Sequence, residues 1–357
     1  MIDHFEGANI AVVGGAGFVG SNLVKALLTR SPRRITIIDN FLSADPVNVH
    51  PATNLIAASI TDDRVLNELD RDLDYVFHLA CYHGNQSSIA DPLADHANNT
   101  LTTLKLFDRL KDIKTLKKVV YAAAGCAVAE KTFDGATATR EDAPVSLYHD
   151  SPYSISKLVG EMYGNYYWTR HALPFVKARF QNVYGPGEIL GAGRWRGTPH
   201  TVWRNVTPTF IWRALHGEAL PLENGGIASR DFIYVEDMAR GLIACASNGE
   251  PGQIYNLGSG TETSIRELAE RINRLTGNTT PIASVSARTW DRSGQRFADT
   301  TKAREKLSFV AEVGHEAGIA RTIEWTKANR KNILRCMLQH RHFVPEVTDY
   351  LNPARRS

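Results

Sequence analysis

A phenol and an ammonium stand one helical turn apart in the stretch Ser151-Pro-Tyr-Ser-Ile-Ser-Lys157. Residues at i and i+4 share a helix face, so Tyr153 and Lys157 can meet in one cleft. A cation beside a phenol favours the phenolate and lowers a pKa that is about 10 when unperturbed. Such a pair can move a proton near neutral pH. Pro152 suits the first turn of a helix, and Asp150 or Ser151 can cap it. A surface helix with an aromatic anchor and a solvated lysine has the same spacing. The pair takes its meaning from what surrounds it.

What surrounds it begins at the N-terminus. Residues 9–14, NIAVVG, are an apolar run ending in glycine, as a buried parallel strand requires. The turn Gly14-Gly-Ala-Gly17-Phe18-Val19-Gly20 follows, and then the helical pattern SNLVKALLTR. Strand, glycine turn and helix in that order suit a dinucleotide, whose pyrophosphate would meet glycine backbone and a helix N-terminus. The next strand, RITIID, ends at Asp39-Asn40. A carboxylate about 20 residues past the glycines binds adenosine ribose hydroxyls and repels a 2′-phosphate, which points to NAD rather than NADP.

The chain continues in alternation. Residues 54–60 read as a third strand, with Ser59 and Ile60 at its end and Ile60 placed to cover adenine. DYVFHLA is a fourth, delivering Leu79 and Ala80 to the cofactor cleft, and residues 92–111 fit one long helix carrying Asn98 and Asn99. KVVYAAA is a fifth strand running into Gly125-Cys126-Ala127, residues 130–148 an active-site loop, and PFVKARF a sixth strand. Alternating strands and helices predict an α/β protein with a doubly wound parallel sheet. After Asn182-Val-Tyr-Gly-Pro the pattern changes to a loop-rich substrate lid over 187–208, where Arg194, Arg196 and Arg204 offer planar donors for an anion or a place on the surface. Residues 229–237 read as a strand entering a helix, Ser264 and Glu267 as a capping box, and a last helix starts near Gly318. The expected division is a cofactor domain over 1–183, with 228–262 partly returning to it, a smaller α/β substrate domain over 184–345, and a tail over 346–357.

Composition excludes several classes. With 357 residues, 43% hydrophobic and 22% charged, the chain can bury a large core. A net charge of +3, spread along the chain, argues for neither nucleic acid nor a membrane surface. Cys81, Cys126, Cys245 and Cys336 lack metal-ligand or redox-pair spacing, as expected of free thiols in a reducing compartment, and no metal is expected. The N-terminus has no signal-peptide form and no apolar run is long enough to span a bilayer, so a cytoplasmic protein is expected.

These motifs, with SRDFIYVEDMARG, YNLGSG and a closing FAD, resemble the extended short-chain dehydrogenase/reductases of the nucleotide-sugar epimerase/dehydratase group. More narrowly, the chain is similar to bacterial enzymes that make nucleotide sugars for lipopolysaccharide O-antigen. The resemblance implies a Rossmann fold, a homodimer formed through residues 95–111 and 153–170, and a set of roles. Gly14, Gly17, Phe18, Val19, Gly20, Asp39, Asn40, Ser59, Ile60, Leu79, Ala80 and Asn99 would bind NAD with Tyr153 and Lys157. Asn182, Arg230 and Arg292 (or Arg288) would bind the sugar diphosphate. His83 would lie near the nicotinamide and sugar, or pack as a structural histidine.

The departures from that pattern matter as much. Ala124 stands where the group carries the serine or threonine that assists the tyrosine, and Gly125 and Cys126 where 4,6-dehydratases carry an Asp-Glu pair. Cys126 coincides with the catalytic cysteine of GDP-mannose 3,5-epimerases, where it would exchange protons beside a 4-keto group, or it is a small apolar residue filling space under the sugar; the partner lysine of that family is absent from RNVTP, with Val206 in that stretch. The expectation is an NAD-dependent nucleotide-sugar epimerase working through a transient 4-keto sugar. A dehydratase or decarboxylase sharing that intermediate, or a catalytically silent NAD-binding sensor, would be the alternatives.

Overall fold

The computed structural model describes residues 4–69, 71–129, 132–288 and 294–351. Its centre is a seven-stranded sheet made from the apolar runs of the first half and one strand from later in the chain. These are β1 (Asn9–Val13), β2 (Arg34–Ile38), β3 (Asn54–Ile56), β4 (Tyr75–His78), β5 (Lys118–Ala124), β6 (Phe175–Phe180) and, after three strands placed elsewhere, Ile254–Leu257. The intervening strands are β7 (Asn182–Tyr184), β8 (Pro221–Glu223) and β9 (Ser229–Tyr234), which makes Ile254–Leu257 β10. The order is β10-β6-β5-β4-β1-β2-β3, and every neighbouring pair is parallel. Strand order reverses between β1 and β4, and the carboxyl ends there open a crevice of the kind that binds dinucleotides.

Both faces of the sheet are covered, which is why its strands read as unbroken apolar runs. Leu23, Val24 and Leu27 of the helix Phe18–Leu28 pack with Met238 and Leu242 of Val235–Asn248 on one face. Leu106 and Phe107 of Leu101–Leu110 join Tyr167 of Pro152–His171 on the other. A three-stranded sheet orders β11 (Glu262–Ser264), β9 and β7, while β12 (Ala283–Val285) pairs with β8. A separate core of Tyr184, Phe210, Ile211, Leu222, Phe232 and Leu268 lies beneath these strands. The Ser264–Glu267 capping box is formed as the sequence predicts.

Local geometry corrects four expectations. The third strand ends at Ile56 because β3 is an edge, and residues beyond it close turns instead: Ala58 N–H donates to the Ile56 carbonyl and Asp62 N–H to that of Ser59. The expected single helix over 92–111 runs unbroken from Pro92 to Leu110 but takes a π-helical turn at His96–Thr100 in place of regular α geometry. The last helix begins at His315, ends at Ala328 and is followed by a second, Arg330–Leu338. Part of the expected tail is packed, since Pro345–Leu351 forms 3-10 turns that bury Val347 and Tyr350; residues 352–357 lie outside the described residues.

The helix bearing Tyr153 and Lys157 is fixed to the sheet by charge as well as by packing. Ser151 caps it, accepting from the Ser154 N–H, and Arg179 of β6 grips Glu161 through two bonds of 2.9 Å. Both side chains are nearly shut off from solvent, and removing one partner of such a pair strands the other charge. Glu161→Leu should therefore lower unfolding free energy by about 3–5 kcal/mol, read by urea denaturation of the purified protein. A loss below about 1 kcal/mol would show that the pair does not hold this helix.

Candidate active site

The crevice at the strand ends is one continuous cavity of about 690 Å³ running from the glycine turn to the small sheets. Gly14, Gly17, Phe18, Val19 and Gly20 line its floor. Gly14 has φ +87°, and a Cβ there would sit 2.5 Å from the Ala80 nitrogen; a Cβ on Gly20 would sit 2.2 Å from the Gly14 carbonyl oxygen. Both positions exclude any side chain, so the turn packs tightly against β4 and the helix after it. The helix Phe18–Leu28 has Gly17 as its N-cap and no side-chain cap bond, so a pyrophosphate would meet unshielded N–H donors. That geometry fits NAD.

Asp39 also lines the cavity, but its carboxylate is committed to the turn: Oδ2 accepts from Ala16 N–H at 3.0 Å and Oδ1 from Phe41 N–H at 2.9 Å. Burial pushes its pKa up against those bonds. The acid read as a ribose ligand is thus also the clasp between β2 and the glycine turn. Asn40, Ser59, Ile60, Leu79 and Ala80 line the same region. Asn99 does not, and this corrects its expected cofactor role. It is buried, accepts from Tyr82 N–H at 2.7 Å and donates to Asp95 at 2.7 Å, while Asn98 faces the cavity. Two adjacent asparagines are indistinguishable by type; the π-helical turn decides which faces in.

Tyr153, Lys157 and Cys126 meet in the cavity wall. Lys157 is 3% exposed and donates from Nζ to the Ala122 carbonyl at 2.8 Å, with Nζ lying 5.9 Å from the centre of the Tyr153 ring. Its charge is thus anchored to β5. Burial pushes the Tyr153 phenol well above its ordinary pKa, with Cys81 and Cys126 adding to the rise. This overturns the expected lowering by Lys157. The reason is the wall: Ala124, Ala127, Val128 and Leu158 pack around Tyr153 and Cys126, and Ala124 supplies no hydroxyl. Ser88 Oγ accepts the Tyr153 backbone N–H, which fixes the helix start and not the phenol.

His83 faces Tyr153 with ring centroids 5.8 Å apart. Burial and the neighbouring Arg196 hold its pKa down to about 4, so the imidazole is neutral at pH 7. Asn205 bridges it to Glu188: Asn205 Oδ1 lies 3.3 Å from His83 Nε2, and Asn205 Nδ2 bonds Glu188 Oε1 at 2.5 Å. Burial raises Glu188 to about 7. Neither Asn205 nor Glu188 carries a local sequence signal. Of the lid arginines, Arg196 and Arg204 line the cavity and Arg194 is exposed.

Asn182, Arg230 and Arg288 line the far end. Arg230 is buried, its Nη1 donating to the Ser229 and Gly294 carbonyls, and Arg288 pairs with Glu223 at 2.7 Å. Arg292 lies outside the described residues. Tyr184 packs beneath the cleft, buried, with its hydroxyl on the His315 carbonyl. The 130–148 segment contributes only Phe133 among its described residues, while Leu147 and Tyr148 project into solvent, which corrects the expectation of an active-site loop.

Residues 10–258 match the family described as the NAD dependent epimerase/dehydratase family. The Bordetella bronchiseptica enzyme WbmF, solved in complex with NAD+ and UDP, shares 58% identity over 95% of this chain and 98% of its own, with a TM-score of 0.85. A UDP-glucose 4-epimerase from Mycolicibacterium smegmatis is 31% identical over 88% of this chain and 97% of its own. A UDP-N-acetyl-alpha-D-glucosaminuronate decarboxylase from Bacillus cytotoxicus is 29% identical over 88% of this chain and 96% of its own.

The buried Glu188 generates a measurable pH dependence. With a pKa of 4.5 unfolded and about 7 folded, the folded protein keeps a proton over that window that the unfolded chain has released. Its stabilising effect is full below pH 4.5 and is lost as pH rises through 7. Relative to Glu188→Gln, the NAD-free wild type should lose on the order of 3 kcal/mol between these limits. Parallel denaturation curves for the two proteins from pH 4.5 to 8 would contradict the assignment.

Proposed function

Since this chain belongs to the NAD-dependent epimerase/dehydratase family, we propose that it is a nucleotide-sugar epimerase acting through a transient 4-keto sugar. The observation that carries this is the joining of glycine turn, Tyr153, Cys126, Arg230 and Arg288 in one cavity. A sugar ring between Tyr153 and Cys126, with its diphosphate toward Asn182 and the two arginines, would span that space. Nucleotide sugars for a cell-surface polysaccharide are the substrates that fit the O-antigen-like motifs, and the 58% identical WbmF bound to UDP favours a uridine nucleotide.

When bound, NAD supplies the acceptor and donor for hydride at the sugar. Gly14, Gly17, Phe18, Val19, Gly20, Asp39, Asn40, Ser59, Ile60, Leu79 and Ala80 would hold it, with Lys157 toward the nicotinamide ribose. Tyr153 would take the proton of the 4-hydroxyl and later return it. In its apolar wall the neutral phenol is favoured, so its removal of a proton depends on the positive charges that face it in the loaded site. His83, neutral and fixed through Asn205, would donate or accept a hydrogen bond at the ring. Cys126 would exchange a proton at a carbon next to the ketone. With Gly125 and Cys126 where a dehydratase would carry its acids, water loss is disfavoured, and release of water or carbon dioxide from the substrate would refute epimerisation.

The homodimer is proposed on the helix Pro152–His171, where Ile155, Met162 and Tyr166 recur on one exposed face near Leu93 and Leu101. A second copy of this chain, packed helix against helix, would cover them.

Three outcomes follow. NMR of UDP-, GDP- and dTDP-sugars in deuterated water should show stereochemical inversion without mass loss. Inversion at carbon 4 without deuterium uptake means simple 4-epimerisation, and uptake at carbon 3 or 5 that disappears in Cys126→Ala assigns the thiol. Tyr153→Phe should cut turnover by about 100-fold or more, the scale of a lost general acid–base group; wild-type turnover in that variant would remove Tyr153 from the mechanism. Met162→Glu with Tyr166→Glu should yield monomers in light scattering, whereas an unchanged mass would place any dimer contact elsewhere.

A further inference from the structure

His83 can present a donor or an acceptor to the cavity, according to which ring nitrogen carries its proton. Its ring is half-buried, lines the cavity and stands at 81° to the ring of Tyr153. Three residues of the strap from 186 to 205 hold it. Arg196 Nη1 donates to the His83 carbonyl at 2.6 Å and fixes the backbone. Asn205 Oδ1 lies 3.3 Å from His83 Nε2, and Asn205 Nδ2 donates to Glu188 Oε1 at 2.5 Å. The strap is itself tied down along its length. Asn22 Nδ2 bonds the Pro186 carbonyl at 2.9 Å, Arg204 Nη1 bonds that of Ser43 at 2.8 Å, and Trp195 stacks on Phe343 at 4.3 Å.

The order of this chain of bonds follows from its far end. An ionised carboxylate only accepts, so it takes the Asn205 amide N–H and turns Oδ1 toward the histidine. An amide oxygen only accepts in turn, so Nε2 carries the ring proton and Nδ1 keeps a lone pair. The opposite order needs a donor at Glu188. Once protonated, Glu188 can donate to Asn205 Oδ1, the amide turns over, and Nδ2 donates to Nε2; the ring then gives up its Nε2 proton and takes one at Nδ1 from solvent. Glu188 Oε2 is closed off from solvent and has no partner in the order seen, so an O–H there would be stranded until the amide turned. Burial, Arg196, Arg204 and Lys157 hold His83 itself neutral, down at about 4, with Asn205 opposing them. Arg204 is the cation facing Glu188, and at about 9 it keeps its charge around neutral pH. Between pH 6 and 8 the titrating member of the chain is therefore Glu188, at about 7.

We propose that Glu188, acting through Asn205, is the positioning residue that sets the tautomer of His83: Nδ1 is a hydrogen-bond acceptor when Glu188 is ionised and a donor when it is protonated. Beside Tyr153, an acceptor suits a sugar hydroxyl and a donor suits a carbonyl oxygen. That last assignment rests on the proposed epimerase; the tautomer does not.

The test is 15N NMR of the full-length protein labelled at histidine, with the His83 ring signals identified by their loss in His83→Gln. At pH 8 the wild type should show Nε2 protonated and Nδ1 bare. Lowering the pH to 6 should build up the Nδ1-protonated form, and that transition should be absent from Glu188→Gln, whose side chain does not titrate. A bare Nδ1 at both pH values, a protonated Nδ1 at pH 8, or the same transition in Glu188→Gln would overturn the proposal. The wild-type titration needs no variant to fold. With a sugar nucleotide that is turned over, Glu188→Gln should lower kcat at pH 8 about 10-fold with KM within about twofold, the scale of one hydrogen bond. Unchanged kcat with a shifted tautomer would remove His83 from the sugar site. Failure to turn over any sugar nucleotide, with the tautomer behaving as stated, would overturn the epimerase and leave the role of Glu188 standing.

Discussion

One hydrogen bond organises the reacting end of this protein: the Lys157 ammonium, buried against β5, donating to the Ala122 carbonyl. An ammonium out of water must be compensated, and a strand carbonyl is what lies within reach. That contact fixes the distance between the helix Pro152–His171 and the strand that ends at Ala124, and so places Tyr153 beside Cys126. The Arg179–Glu161 pair secures the same helix two turns from the phenol, from the neighbouring strand. A helix held at both points by charge cannot slide, and the phenol inherits its position.

The cavity has two electrostatic characters. Around Tyr153 the wall is alanine, valine and leucine, and desolvation keeps the phenol neutral. Across from it, the strap and the small sheets bring guanidinium groups, amides and one buried carboxyl. Under the proposed function, proton chemistry would fall to the dry wall and anion binding to the polar one. Ala124 packs in that wall and offers the phenol no hydroxyl, so the charged form depends on what binds.

Much of the cofactor half was legible from residue types. Gly14 and Gly20 are required by close backbone approach, and Asp39 by its position at a strand end, so types and spacing suffice there. The distinction between Asn98 and Asn99 was not legible, because a π-helical turn rotates the register by an amount no periodic pattern encodes. Nor was the burial of Arg196 and the half-burial of Arg204 beside the exposed Arg194, since a loop without period leaves side-chain direction to long-range contacts. Glu188 and Asn205 acquire their roles only from facing His83 across more than a hundred residues of chain.

The sequence by itself determined the parallel sheet, the dinucleotide turn and the presence of a phenol and an ammonium on one helix face, because these follow from local periodicity and backbone sterics. Only the tertiary structure decided what that pair does at rest. Spacing predicts a lysine that lowers the phenol's pKa; the fold sends the lysine to the Ala122 carbonyl and surrounds the phenol with apolar side chains that raise it. Proximity along a helix is a local property. Dielectric and competing partners are properties of everything that packs around it.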